Sequence, residues 1–344
     1  MWTKTGKIKK LLLEGKFLQL EKHLKEISKK NPSYRRHLVH LYLETGQHEK
    51  ALKEAERLSV TSATPYHQYL YLLSAHRAGA NLKAEKRKLS KLLKQKEKRG
   101  VALFLLALME LLEGETERAK KKFMESAEEG FKIAHWGIAQ ALLEEGKEEE
   151  ARDHIEKCKK EAKHFPPILL CQAKLEPKLA KSAAILNSYV KMIPISGEAN
   201  YELGMRLLDL SHIPIIGRLL SRRALEHLQI KALLDRPKPE NTWLYRLISL
   251  HLARRGQIEK AAKWILIEQQ VLYNTLHSIE RQLKEGQTDA HEEIVDMIYS
   301  LLEVLTENEI ITEEAFHKAF AEKRETRLLE RMYQLSNDEN EDRE

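Results

Sequence analysis

Apolar residues recur along the chain at spacings of three and four, and the helices this period predicts come in pairs. In "LYLETGQHEKAL" (Leu41–Leu52) an apolar helix ends at Gly46 and a second begins, with Ala51 five residues past the glycine. "LMELLEGETERAK", "AQALLEEGKEEEAR" and "LHLARRGQIEKAA" repeat the skeleton. No run of alternating β-branched residues predicts a strand, and only 14 glycines and 9 prolines interrupt the helical pattern.

The turn glycines Gly15, Gly46, Gly79, Gly114 and Gly146 are 31, 33, 35 and 32 residues apart, and Gly256 closes a later unit. Five residues after them stand Ala51, Ala84, Ala119, Ala151 and Ala261, with Leu20 in the first unit. Seven before them stand Val39, Leu72, Ala107, Ala139 and Ser249. A glycine supplies the left-handed backbone that ends a helix, and small residues at fixed offsets let two antiparallel helices approach closely. Two units are irregular. Around 164–196 the turn "LEPK" (Leu175–Lys178) lacks a glycine, and near 212–223 the chain carries about eight residues too many, as an insertion or as lengthened helices.

A period of about 34 with this glycine–alanine skeleton resembles the tetratricopeptide repeat family. Tyr42 matches the family's tyrosine and Pro32 its closing proline; the resemblance covers roughly residues 1–270. It implies an all-α fold, a right-handed superhelical α-solenoid of about eight helix pairs, which binds a peptide or partner helix in its concave groove. Residues 271–335 read as a C-terminal helical cap and 336–344 as an acidic disordered tail.

In that family the first helix of each pair lines the groove, and one inward column stands ten residues before the turn glycine. Here it reads Arg36, Tyr69, Phe104, Trp136 and Arg246, with Tyr201 added by period. Tyr66, Leu108 and Trp243 neighbour it, and His40, Arg77 and Arg254 stand toward the ends. Aromatic in the middle and basic at the ends, the column suits burial of an apolar segment flanked by acidic residues. The same rings also fit ordinary packing between helices. Lysine and asparagine clamps for a terminal carboxylate, known in some members, have no counterpart at Arg36, Leu70, Leu105 and Gly137.

Charge adds a second candidate surface. Residues 1–100 hold 24 Lys and Arg against 9 Asp and Glu, although the whole chain is only +7. "NLKAEKRKLSKLLKQKEKR" (Asn81–Arg99) concentrates nine basic residues, with Lys83, Lys86, Arg87, Lys88, Lys91 and Lys94 as a basic patch. A solvated helix face explains such a run, and so does a phosphate- or acid-binding patch, with the acidic tail as a further occupant.

Catalytic signatures are missing: there is no phosphate loop, GxSxG or dinucleotide fingerprint. His37 and His40 lack a third metal ligand, "AHEE" lacks a second histidine, and Cys158 and Cys171 read as buried thiols of a reducing compartment. No cofactor or metal is expected, and no apolar run is long enough to span a bilayer, so a cytoplasmic chain is expected. The favoured reading is a non-catalytic protein–protein scaffold or adaptor. A nucleic-acid- or ribosome-associated factor and a regulatory repeat module of a signalling system stay open, as does self-association.

Overall fold

The computed structural model describes residues 4–212, 217–235 and 239–284. The chain divides into two compact units, Met1–Val271 and Leu272–Glu344. The cap expected over 271–335, apart from its start, and the tail over 336–344 lie outside the described residues.

Sixteen α-helices are present among the described residues, and no strand. They are α1 (Lys4–Leu13), α2 (Phe17–Lys30), α3 (Arg35–Glu44), α4 (His48–Thr61), α5 (Pro65–Arg77), α6 (Lys83–Leu92), α7 (Lys96–Leu112) and α8 (Thr116–Glu128), followed by α9 (Ala134–Glu144), α10 (Glu148–Cys158), α11 (Pro167–Leu175), α12 (Leu179–Met192), α13 (Gly197–Asp209), α14 (Gly217–Leu234), α15 (Thr242–Arg254) and α16 (Ile258–Lys284). Taken two by two, they form a TPR-like stack of eight helix pairs.

The turns explain the repeat. At Gly46 the backbone is left-handed, with φ 70°. The Gly46 N–H donates to the Leu43 carbonyl at 3.2 Å and the Gln47 N–H to the Tyr42 carbonyl at 2.8 Å. This is the Schellman arrangement, which satisfies the carbonyls a helix leaves free at its end. The bond from the residue after the glycine recurs at the other five turn glycines, as from the Lys147 N–H to the Leu142 carbonyl at 2.9 Å. Without a glycine, the turn after α11 is held by side chains instead: Arg152 donates to the Leu175 carbonyl, and the Ser182 hydroxyl to the Ala173 carbonyl at 2.7 Å.

The small positions pack as the repeat demands. Ala51, Ala119 and Ala151 are fully buried, as are Val39, Ala107 and Ala139. Gly137 goes further, because the Phe123 ring lies where its side chain would be, 2.5 Å from an ideal Cβ. Ala84 departs from the expectation and is exposed, and α6 contributes no buried residue at all. Its ten residues carry too few apolar side chains to be drawn onto the core, so only Leu89, with Leu82 just before the helix, leans against it. The excess near 212–223 resolves in part into a lengthened helix: α14 has 18 residues and packs along α13.

Within the first unit the stack closes on itself. Helix α1 packs against α14. Ile8 and Leu12 join Ile195, Ile230 and Leu234 in one buried cluster. Polar contacts reinforce this seam. Lys9 pairs with Glu226 at 2.9 Å, and Gln229 donates to the Leu13 carbonyl at 3.0 Å. The Gly197 N–H donates to the Glu44 carboxylate at 2.9 Å.

Candidate interaction surfaces

Closure changes what the inward column is. Phe104 is fully buried, Leu108, Tyr66 and Trp136 are nearly so, and Tyr69 is half-buried. Phe165, entering between α10 and α11, plugs the middle of the stack. Its ring centroid lies 5.0 Å from Trp136, 5.6 Å from Tyr69, 5.8 Å from Phe104 and 6.0 Å from Tyr66. The expectation that Tyr66, Phe104, Leu108 and Trp136 line an open groove is therefore corrected: these side chains are core. Inward-facing aromatic surface is costly in water, and helices brought around to meet each other can bury it in mutual contact.

Around this plug the interior is polar on one side. His40 shares a hydrogen bond with the Tyr66 hydroxyl at 2.6 Å. Burial, and then the nearby Arg36 charge, push the His40 imidazole down to about 3; His37 is pushed to about 3 by burial, Arg36 and His40. Burial thus favours the neutral form of both rings. Burial likewise raises Tyr69 to about 12. Glu44, half-buried at the seam, has its carboxyl raised by desolvation, against the opposing pull of the Gly197 N–H and Lys231. Glu44 and Gly197 were invisible to sequence reasoning, because they are partners 153 positions apart in the chain. Nothing local in the sequence marks Phe165 as the plug.

The basic patch lies on α6 and the turn after it. Lys83, Arg87, Lys88, Lys91 and Lys94 are exposed, and Lys86 is half-buried. Lys86 pairs with Glu113 at 3.3 Å and Lys88 with Glu85 at 3.0 Å. Lys83, Arg87, Lys91 and Lys94 have no acidic partner among the described residues. Lys83, Lys86, Arg87 and Lys91 border a surface depression of about 450 Å³.

Helix α15 carries Trp243 and Arg254, which stay outside the core. Trp243 is 44% exposed and Leu250 53% exposed. Leu247 is half-buried between them and Arg254 is exposed, so the four make a stripe at helical spacing. Arg246 is turned to Glu268 in an ion pair of 2.8 Å. Tyr201 packs against the cluster beneath α15, and Arg77 is exposed at the end of α5.

Cys158 and Cys171 are buried free thiols, pushed up to about 12 mainly by burial. Among the described residues no group of three His, Cys, Asp or Glu could hold a metal, and no helix is long and apolar enough to cross a membrane.

No family model matches the chain, and no curated protein matches it. Solved structures do resemble it at low identity. YrrB, a TPR protein with an unusual peptide-binding site, is 15% identical with a TM-score of 0.39, over 53% of this chain and 91% of YrrB. The APC/C hetero-tetramer Cut9-Hcn1 is 16% identical with a TM-score of 0.43, over 82% of this chain and 57% of that one. The human IFIT1 dimer with PPP-AAAA is 14% identical with a TM-score of 0.39, over 86% of this chain and 74% of that one. These likenesses are weak, and the fold described above stands on the chain's own geometry.

Proposed function

We propose that this protein is a non-catalytic scaffold that holds a partner protein through the stripe of Trp243, Leu247, Leu250 and Arg254 on α15. The observation carrying this reading is that two large apolar side chains, Trp243 and Leu250, stand open to solvent on one face of a helix otherwise packed into the core. An amphipathic helix or extended apolar segment would cover them, and an acidic residue at its end would meet Arg254. Tryptophan and arginine are the side chains that most often dominate such interfaces. With the aromatic plug closed into the core, the exposed stripe is the apolar surface that supports recognition on this reading. Pull-down with the full chain and with a Trp243→Ser/Leu250→Ser double variant tests the reading. Partners lost only with the variant support it; the same partners recovered by both baits exclude it. Sedimentation of the two proteins reveals whether a second copy of this chain is the occupant.

A second reading rests on the four unpaired cations of the basic patch. A polyanion such as RNA would track them, with binding that weakens steeply as salt rises. Reversing Lys83, Arg87, Lys91 and Lys94 to glutamate would abolish salt-sensitive retention on an RNA column. Unchanged retention would remove this reading.

A further inference from the structure

Beside the seam, a cavity of about 190 Å³ opens to solvent between α1, α3 with the residues leading into it, and the end of α12. Arg36, His37, Lys191 and Asn31 form its polar side, Ile8 and Met192 its apolar side, and no carboxylate lines it. Neither cation is compensated. Arg36 has no ion-pair partner among the described residues, and its Nε is buried without a hydrogen bond. Lys191 has none either. His37 is 5% exposed, and its Nδ1 also lacks a partner. The Asn31 Oδ1 already accepts from the Ser33 N–H at 3.1 Å and the Ser33 hydroxyl at 2.6 Å, which leaves the amide NH₂ as its free half.

Buried polar atoms without partners are costly, and each one calls for an explanation. We propose that the seam cavity binds a phosphate dianion, either free or as a monoester. Two unpaired positive charges match the two negative charges of that ion. Donors arriving from α3, from α12 and from the segment before α3 suit a tetrahedral group with several acceptor oxygens. The guanidinium fork is the side chain best shaped for it. A carboxylate would neutralise only one of the cations, and a metal ion would be repelled by both.

Such a ligand would join α3 to α12 and so hold the closed stack together. Anything that binds only the folded chain stabilises it in proportion to its concentration. The test is thermal unfolding of the full chain at pH 7.5, with inorganic phosphate or O-phosphoserine set against sodium chloride at equal ionic strength. The expected result is a midpoint that rises with phosphate and saturates. Lys191→Gln, at an exposed position, should weaken apparent affinity about tenfold, the loss of one charge-assisted hydrogen bond. Arg36→Gln should weaken it at least as much if that variant folds; if it does not, Lys191→Gln decides. A Lys83→Gln/Lys91→Gln control should respond like the parent chain. In the parent, the His37 ring nitrogens should shift on phosphate addition in ¹⁵N NMR. Response to inorganic phosphate alone identifies the free ion as the source, and response to both probes identifies a monoester. No saturating response, an equal response in Lys191→Gln, or a response lost only in the α6 control overturns the proposal.

Discussion

The Glu44 carboxylate accepts the Gly197 N–H at 2.9 Å across 153 positions of chain, and it does so at the first turn of α13. Gly197 makes room for it, since a Cβ there would lie 2.7 Å from the Glu44 Oε2. A carboxylate at a helix N-terminus also meets the positive end of the helix dipole. This single contact ties the second helix pair to the seventh.

Removing it should open the seam. Glu44→Ala leaves the Gly197 N–H buried and unpaired, and a loss of about 1–3 kcal/mol is expected from urea unfolding at pH 7. Glu44→Gln keeps an acceptor oxygen and should lose less. It should also change the pH profile. Folded Glu44 holds its proton to higher pH than an unfolded glutamate. Its contribution is therefore full below the ordinary carboxylate range and declines as pH rises through the raised value. The stability difference between the parent chain and Glu44→Gln should thus favour the parent most at low pH and shrink on going upward.

The buried histidines have the opposite sign. His37 and His40 sit at about 3, and His227 at about 4 where burial and nearby Lys9 lower it, so the folded chain binds fewer protons than the unfolded chain between those values and about 6.5. Stability should fall as pH drops through that window. His40→Gln removes one contributor, and urea midpoints measured at pH 7.5, 6 and 5 should decline less steeply than in the parent.

The two tryptophans should separate fold from recognition. Trp136→Ala empties a site in the aromatic plug and should cost roughly 3–5 kcal/mol, as large-to-small core changes do. Trp243→Ala removes a side chain already 44% exposed. It should shift stability by no more than about 1 kcal/mol. Equal losses in chemical unfolding would mean that the distinction between plug and stripe is wrong.

Gly137 offers a test of close packing. Its missing side chain is what lets the Phe123 ring lie against α9. Gly137→Ala improves helix propensity by about 1 kcal/mol, yet it forces the ring aside at an overpacking cost of about 1–3 kcal/mol. Net destabilisation is expected in thermal unfolding, whereas Gly137→Ala combined with Phe123→Leu should recover part of it.

Local features were legible in the sequence and distant ones were not. The turn glycines and the small residues seven before them follow from hydrogen bonding and helix contact inside one pair, so a period could reveal them. Ala84 obeyed the period and still ended exposed, because charge on its own helix outweighed the repeat. The inward direction of Tyr69, Phe104 and Trp136 was also readable. Whether inward meant groove or core depended on closure, and closure depends on Ile8 meeting Ile230 and on Glu44 meeting Gly197. Nothing near Ile8 in the chain announces a partner more than 200 residues away. Of the exposed stripe on α15, only Trp243 and Arg254 were read from the sequence, beside the column and toward its end, and Leu247 and Leu250 were missed.

Closure also constrains how this chain can vary. In an open array each repeat touches only its neighbours, so stability is a sum of local terms, and units can be gained or lost at little cost. Here, deleting one pair from the middle would break two stacking interfaces and misalign the seam as well. The number of pairs between α1 and α14 is thus fixed by geometry, and the two ends of that segment must fold together. Unfolding of this part should be all-or-none rather than piecemeal, and the long-range seam contacts should make its folding slower than that of an open stack of the same helices.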